Sequence, residues 1–506
     1  TAYEMPLRLV GSAMCIRDRF RAEPLPGGGD RRRPPRFPKQ RQLRLPAPDP
    51  GRQRTTRPST PSMSEFKLLL RHALAIFAGQ LATMAYAVTD TIVAGRHSDH
   101  ALAALSVGTS IFVSVYVSLM GVMQALLPAY AELHGAQRPL AVGRTFRQSL
   151  YLCAVLAVLG MGIMLFPAPL LRWAQVPAEL QADVTTYLHV LAMAFPMALL
   201  FRMYATLNQA LGHPWLVTSL QVAGLVAKVP LSIWFVFGGA GLAPMGVVGC
   251  AWATAAINTL LFLLGAWMMR YQSFYKPYGL WQRIERPDWV QLRRLVRLGV
   301  PAGLTYAVEV TSFTVMALLI ARMGTTALAS HQIASNLAAV LYMFPLAMAL
   351  ACSARTSYWL GAGRPDQARH VIVLGYKTTL GLALVAAFVL TMLRHRLASA
   401  YSANPEVVAL AASVLLWIAA YHLADAPQVL GAFLLRCYGV TLMPFAVYGT
   451  LLWGLALPAG FALAYSGLGP LPALMSPSAF WMAQVCGLSV IAALLAAMLY
   501  RAARRA

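Results

Sequence analysis

The sequence predicts an all-α membrane protein, with twelve transmembrane helices in two six-helix lobes related by an internal repeat. Its composition is 58% hydrophobic and 11% charged, whereas soluble domains are about 45–50% apolar and 25% charged. The mean hydropathy is +0.60. Long apolar segments and a repeat at a fixed offset are the other two observations that predict this architecture.

Residues 1–62 differ in composition from the rest of the chain. They carry 14 Lys and Arg against 5 Asp and Glu, with GGG at 27–29, RRRPPR at 31–36 and no apolar run typical of a signal peptide. This composition predicts a disordered basic tail, and its prolines oppose the amphipathic helix of a transit peptide. A lipid-binding arm is the alternative. Because LRLVGSAMCIRDR (7–19) resembles translated sequencing adaptor, we interpret the tail as outside the true protein and expect that protein to start at Met63.

Twelve apolar segments follow, and each has at least the ~20 residues that a helix needs to cross the core of a bilayer. They lie at about 66–94, 101–131, 143–170, 181–206, 213–238, 244–270, 293–322, 327–355, 366–393, 404–436, 440–465 and 477–500. With the amino terminus inside, 19 Lys and Arg near helix ends fall on the cytoplasmic side and 5 on the other. This asymmetry predicts that both termini are cytoplasmic.

An internal repeat relates the two halves. The loop GAQRP at 135–139 recurs as GAGRP at 361–365, an offset of 226, and the same offset places Ala-Leu-Ala at 101–103 on Ala-Leu-Ala at 327–329. Because each repeat has an even number of helices, both enter the membrane from the same side and are related by an axis along the membrane normal. The predicted divisions are the tail, an N-lobe at 63–270, a cytoplasmic interlobe linker at 271–292 and a C-lobe at 293–506.

Charge and cysteine usage exclude several classes of function. The net charge of +24 lies in the tail and in short loops, which favours membrane topology over nucleic-acid binding. The cysteines are scattered singly, which predicts neither a disulfide framework nor a zinc site. No catalytic constellation or phosphate loop is apparent, so a membrane enzyme or a receptor-like binding protein is not favoured.

Three acidic residues stand out because they interrupt apolar helices. They are Asp90 in the first helix, Glu309 in the seventh and Asp425 in the tenth. An ionisable group at mid-membrane costs at least ~2.5 kcal/mol, and such groups commonly mark ion pathways. A protonated carboxyl bonded inside the bundle is the structural alternative for any one of them, but three in a chain so poor in charge indicate a cation pathway.

Neighbouring residues refine this hypothesis. The four-residue spacing of Tyr421 and Asp425 places both on one helical face, where a phenol oxygen could complete a shell for a small cation or simply bond a structural aspartate. Pro427 follows two residues later and predicts a kink. Lys228 is the only basic residue deep in an apolar helix, and we expect it to pair with Asp90, since an unpaired ammonium there would be very costly.

Four stretches carry a family resemblance, in family order and spacing. They are VTDTIVAGRHSDHALAALSVG (88–108), MGVVGCAWATA (245–255), LLIARMGTTALASHQIASNLAAVLYMFPLAMALACSARTSYWLGAG (318–363) and DAPQVLGAFLLRCYG (425–439). From about Phe66 to about Ala464 the chain resembles the multidrug and toxic compound extrusion (MATE) transporters, in their bacterial NorM-type branch. The resemblance implies two six-helix lobes around a central cleft. We expect a monomer of the bacterial inner membrane that binds no nucleic acid. The resemblance also implies export of hydrophobic, often cationic compounds driven by inward flow of sodium ions or protons, with no other cofactor.

The resemblance also assigns roles to residues. Asp90, Glu309 and Asp425 match the family's membrane acids, and Tyr421 matches a tyrosine that helps to bind the cation. A sodium site would therefore comprise Glu309, Asp425 and Tyr421.

The fifth helix departs from the family pattern. Where the family often has Asn-x-Pro-Leu-Asn, this chain has Lys-Val-Pro-Leu-Ser from Lys228 to Ser232. A cation and a hydroxyl in place of two amides make a cation site around Asp90 doubtful. Our hypothesis is that Lys228 is a fixed counter-ion that holds Asp90 ionised and leaves the coupling cation to Glu309 and Asp425, with Ser232 and Pro427 near the site or the substrate cavity.

The alternative function is a lipid-linked oligosaccharide flippase of the same wider superfamily. It would need arginines along the cleft to hold a pyrophosphate, and the apolar segments contain few arginines at mid-depth. The residues alone leave the choice between sodium and proton open.

Overall fold

The computed structural model describes residues 64–505 apart from 174–175, 240, 468 and 470–471. The predicted tail at 1–62, including Cys15, lies outside the described residues. In the described part the protein is helical, and twelve helices are long and apolar enough to cross a membrane. The predicted fold class is therefore confirmed.

The twelve membrane helices are numbered in chain order. They are α1 (Glu65–His97), α2 (Asp99–Gly135), α3 (Pro139–Leu165), α4 (Ala178–Ala210), α5 (Pro214–Phe237), α6 (Val247–Tyr271), α7 (Trp289–Ala321), α8 (Thr325–Gly361), α9 (Pro365–Tyr401), α10 (Pro405–Cys437), α11 (Leu442–Ser466) and α12 (Pro477–Arg505). A short helix at Ala168–Trp173 and a 3₁₀ helix at Ser273–Tyr278 lie between them.

Polar side chains mark where several helices begin. Ser98 ends α1 and caps α2, where its hydroxyl accepts a hydrogen bond from Ala101 N at 3.0 Å. Asp288 caps α7 by accepting from Val290 N at 3.1 Å and Gln291 N at 3.2 Å. These oxygens satisfy amide donors that have no partner inside the helix.

Two membrane helices are irregular. The helical hydrogen-bond pattern of α2 is interrupted by a turn at 125–126 before its last part, Leu127–Gly135. In α11, π-helical turns occupy Gly449–Ala456 and Ala462–Ser466. π-helical turns are rare in proteins, and those that occur often lie at functional sites.

The packing of helices follows the repeat. In the N-lobe α1 packs on α5, and α4 packs on α2, α3 and α6; in the C-lobe α7 packs on α11, and α10 packs on α8, α9 and α12. Between the lobes, α2 contacts α7 and α1 contacts α8. These two interlobe pairs are equivalent under the repeat, so the lobes meet about its axis.

Backbone contact at this axis requires two glycines. A Cβ atom on Gly135 would lie 1.9 Å from the carbonyl oxygen of Tyr358, and one on Gly361 would lie 1.9 Å from that of Glu132. Both pairs are related by the repeat offset, 135 to 361 and 132 to 358. Only glycine permits this approach.

Ion pairs surround the glycine crossing. The Glu65 carboxylate at the start of α1 accepts from Arg355 Nη2 at 2.5 Å and from Trp359 Nε1 at 2.8 Å, both on α8. On the other side of the axis, Arg294 of α7 lies 3.4 Å from Glu132 of α2. The two lobes are therefore joined at the face where α2 and α8 end.

The hydrogen bonds and ion pairs between the lobes lie toward this face. Across the described ranges, every hydrogen bond and ion pair between the lobes lies between the middle of the helices and the face bearing loops 136–138 and 362–364. The one nearest mid-helix joins Tyr306 to Gln124 at 3.3 Å. The polar contacts between the lobes therefore lie toward the loop face.

The segment between α6 and α7 is anchored to α3. Arg147, which is 3% exposed, donates to the Glu285 carboxylate and to the Gly279 carbonyl. Tyr151 donates to the Glu285 carbonyl at 2.8 Å. The hydrogen bond from Arg147 lowers the pKa of Glu285 from 4.5 to about 2, so this segment is held by an ionised pair at neutral pH.

Candidate functional site

Asp90 and Lys228 form a buried ion pair in the N-lobe. Asp90 lies on α1 and Lys228 on α5, and the Lys228 ammonium is 2.8 Å from one carboxylate oxygen and 3.0 Å from the other. Lys228 is fully buried and Asp90 is 7% exposed. The contact that the sequence predicts between them is present.

The polar neighbours of this pair complete a closed network. Ser232, one turn after Lys228, donates to Asp90 at 3.1 Å. Thr254 of α6 accepts from the ammonium at 2.6 Å, and its hydroxyl is 3.2 Å from Asp90. The Cys250 carbonyl accepts from the ammonium at 3.4 Å. Each of the three ammonium hydrogens has an acceptor, and the network is neutral as a unit.

The acids of the C-lobe have different surroundings. Asp425 on α10 is 2% exposed and accepts from Gln428 Nε2 at 2.8 Å. Glu309 lies on α7 at the edge of the lobe and is half-buried. Within the described part of the chain, no Lys, Arg or His nitrogen lies within 4.0 Å of either carboxylate. Both acids therefore lack the permanent cationic partner that Asp90 has.

A small cavity adjoins Glu309. Its volume is about 10 Å³ for the centre of a water-sized sphere, which is about the space of one water molecule. Its lining combines one acid, one cation and three phenols with apolar side chains: Thr305, Tyr306, Glu309, Tyr342, Val429, Ala432, Phe433, Arg436 and Tyr448. The arrangement can accept a small cation or water, and it is too small for a drug molecule in this state.

Tyr421 lies on the same helix as Asp425 but makes aromatic contacts. Its ring is perpendicular to that of Trp481 at a centroid distance of 5.3 Å and close to that of Phe313 at 6.2 Å. Among the residues that the structure covers, no hydrogen bond joins the Tyr421 hydroxyl to Asp425. Pro427 lies inside α10 beside Gln428 and removes one amide donor from this stretch of helix.

Sequence reasoning missed Arg436, Gln428 and Thr254. Gln428 and Arg436 lie three and eleven residues after Asp425, spacings that place them on the same face of α10. That periodicity was the available signal. Arg436 lies in the last turn of the helix, as its sequence position predicts for a loop-side charge, but it is only 6% exposed.

Comparison with known proteins decides the family. A family model, MatE, matches residues 75–234 and again 301–462, and the two matches begin at the offset of the repeat. The chain belongs to the MATE family.

Relatives of this MATE protein are of the NorM type. It is 35% identical over 434 residues to a probable multidrug resistance protein NorM of Aromatoleum aromaticum, covering 85% of this chain and 92% of that protein. It is 33% identical over 443 residues to the multidrug resistance protein PmpM of Pseudomonas aeruginosa, covering 87% and 92%.

Solved structures confirm the MATE fold. The eukaryotic MATE transporter AtDTX14 superposes with a TM-score of 0.76 at 20% identity, covering 87% of this chain and 97% of that one. A multidrug resistance MATE family transporter in an outward-facing conformation gives 0.78 at 17% identity, with coverage of 87% and 96%.

Proposed function

We propose that this MATE protein is a multidrug efflux antiporter that exports hydrophobic, often cationic compounds across the bacterial inner membrane in exchange for sodium ions or protons. The observation that carries the proposal is the contrast between the membrane acids. In the part of the chain that the structure describes, no cationic partner lies within 4.0 Å of Glu309 or Asp425, whereas Asp90 has Lys228 at 2.8 Å.

The coupling cation binds in the C-lobe. A carboxyl group in an apolar setting resists ionisation until a cation or water arrives. A cation that binds better to the outward-open state shifts the equilibrium toward that state, and only such differential affinity links the two ligands. Drug binding then competes with or follows cation binding as the cleft alternates between the two faces.

The donor set suits a hard cation as well as a proton. Carboxylate and phenol oxygens are the ligands of hard cations, and Glu309, Asp425 and Tyr421 supply them. For sodium, the Tyr421 hydroxyl must reach the ion bound at Asp425, and water must supply further oxygens. A proton needs only the carboxyl groups.

The N-lobe acid has another role in this proposal. Lys228 is a fixed counter-ion that keeps Asp90 ionised, so that Asp90 does not exchange a cation during transport. Lys228→Ala tests this hypothesis. If the variant transports at the same rate and with the same pH dependence as the parent, the hypothesis is wrong.

The proposed orientation follows from loop charge. Arg138 and Arg364 lie in the loops of the loop face, and the positive-inside rule assigns such loops to the cytoplasm. Both termini are then cytoplasmic and the cleft opens outward. Because one chain contains both lobes, we propose that a monomer in the lipid bilayer is the transporting unit.

The test is ethidium efflux from proteoliposomes that contain the full chain. A sodium gradient and a proton gradient are imposed separately, and we expect one of them to drive efflux in the parent protein. Glu309→Gln and Asp425→Asn should abolish the driven component while binding of ethidium persists. Export of a lipid-linked precursor with no response to either gradient would contradict the proposal and favour the flippase alternative.

A further inference from the structure

Arg436 is a buried charge that the proposed function has not yet used. It is 6% exposed, and its Nη1 has no hydrogen-bond partner. Over the described ranges, no carboxylate oxygen lies within 4.0 Å of its guanidinium group. Its nearest ring contacts are Phe433 at 4.1 Å and Tyr306 at 5.6 Å. Aromatic faces stabilise a guanidinium only in part, so this buried cation needs a counter-charge or water.

Two small cavities adjoin Arg436. Arg436 lines the cavity that contains Glu309 and also a second cavity of about 10 Å³ that reaches Thr441 and Pro444. The two cavities share Thr305, Ala432 and Arg436. Thr441 lies at the loop-face end of the C-lobe, where its hydroxyl donates to the Arg297 carbonyl at 2.8 Å. Arg436 thus stands between Glu309 and the loop face.

Few charged groups other than Arg436 face Glu309. The titratable and charged groups around it are Tyr306 of its own helix, Tyr342 of α8, Asp425 and Arg436 of α10, and Tyr448 of α11. Of these, Arg436 alone is cationic. Glu309 and Arg436 line one water-sized space, and neither has a salt-bridge partner in the described part of the chain.

We propose that Arg436 is a tethered competitor of the coupling cation, whose guanidinium pairs with the ionised Glu309 across the water-sized cavity once that cation has left. The inference rests on the proposed cation coupling at Glu309. Arg436 is a positioning residue that acts through Glu309. It compensates the carboxylate in the apolar interior after release, and it weakens binding of the next cation because that cation must displace it.

Substitution of Arg436 should change cation affinity rather than only activity. In proteoliposomes, the initial rate of ethidium efflux is measured against the concentration of the cation that drives the parent protein. Arg436→Gln should lower the half-saturating concentration about tenfold, within the usual range of coupling between sites. Its maximal rate should fall because release becomes slow. Arg436→Lys keeps the charge and should restore a half-saturating concentration near that of the parent.

A neutral variant with a long apolar side chain guards against misfolding. Arg436→Met keeps much of the stem of the side chain, and replacing a buried charge by a hydrophobic group is often well tolerated. It should show the same shift as Arg436→Gln. Arg147→Gln is the matched control, since it removes another buried arginine, one that contacts the interlobe segment rather than Glu309, and it should leave the half-saturating concentration unchanged.

The outcomes separate the two proposals. A parent protein that no cation gradient drives overturns the proposed function. A driven parent whose half-saturating concentration is unchanged in Arg436→Gln and Arg436→Met overturns the role of Arg436 alone, as does an equal shift in Arg436→Lys or Arg147→Gln.

Discussion

The two lobes share one helical plan but treat their buried acids in different ways. In the N-lobe, Asp90 is held by Lys228 at 2.8 Å, and the ammonium has further acceptors on α6. In the C-lobe, Asp425 is held by the neutral amide of Gln428 at 2.8 Å, and Glu309 adjoins a water-sized cavity. Both lobes bury an acid, so under the proposed function the feature that distinguishes the exchanging acids is the lack of a cationic partner among the described residues.

The largest effect should come from breaking the N-lobe pair. Lys228→Met leaves Asp90 buried without its partner, and removing one member of a buried pair costs about 3–5 kcal/mol. Thermal unfolding of the purified protein in detergent measures this loss. The double variant Asp90→Asn with Lys228→Met removes both charges and should recover most of it. If Lys228→Met unfolds at the same temperature as the parent, Asp90 does not depend on its cationic partner and the contrast with the C-lobe acids fails.

The next effect should come from the C-lobe acid. Glu309→Gln should reduce gradient-driven ethidium efflux about 100-fold, equivalent to about 2.7 kcal/mol, because it removes the exchangeable charge. The double variant Asp90→Asn with Lys228→Met is the matched control. It also removes a membrane acid, but one whose charge Lys228 balances in the parent protein. Loss of coupling in that control, with coupling retained in Glu309→Gln, would reverse the assignment of the lobes.

A smaller effect is expected at the tyrosine beside Asp425. Tyr421→Phe keeps the ring contacts with Trp481 and Phe313 and removes only a hydroxyl that is not bonded to Asp425 here. We expect the half-saturating sodium concentration to rise about threefold if sodium is the coupling ion, which corresponds to about 0.7 kcal/mol. If a proton is the coupling ion instead, the driven efflux should not change. A tenfold loss of efflux driven by a proton gradient would indicate that the hydroxyl serves the fold.

The smallest effect concerns a paired acid outside the membrane. Because Arg147 lowers the pKa of Glu285 to about 2, the ion pair contributes its full stability above the ordinary value of 4.5. This contribution is lost as the pH falls through about 2. The Glu285 side chain is 36% exposed, so we expect a contribution of about 0.5 kcal/mol. Comparing the unfolding temperatures of the parent and Glu285→Gln from pH 6 to pH 2 measures it, and a difference that grows in acid would contradict the sign.

Much of the fold could be predicted from the sequence because apolar length and loop charge are local properties. The helix ends were less predictable. The ninth apolar segment was expected to end near 393, but α9 continues to Tyr401. The sequence RHRLASAY (394–401) is too polar to be counted as membrane-spanning, yet it can still form a helix. The pairing of Lys228 with Asp90 followed from the scarcity of buried charge in that half of the chain.

The environment of the C-lobe acids could not be predicted in the same way. Arg436 looks like a loop-side charge in the sequence, and its burial depends on the helices that pack around it. The π-helical turns of α11 begin directly after Tyr448, which lines the cavity, and nothing in the local sequence marks them. The ring of Tyr421 likewise packs against Trp481, which lies sixty residues later.

The glycine crossing between the lobes has a consequence for how such a protein can change. In a symmetric dimer of separate six-helix chains, this contact would be isologous, and every substitution would appear on both sides of the axis. Here the carbonyl oxygens that face the two glycines belong to Glu132 and Tyr358, which are equivalent under the repeat. The backbone contact is therefore symmetric, while the side chains differ. Two halves of one chain are not bound by this identity. The N-lobe accordingly has a lysine beside its acid, whereas the described part of the C-lobe has no such partner beside its carboxylates.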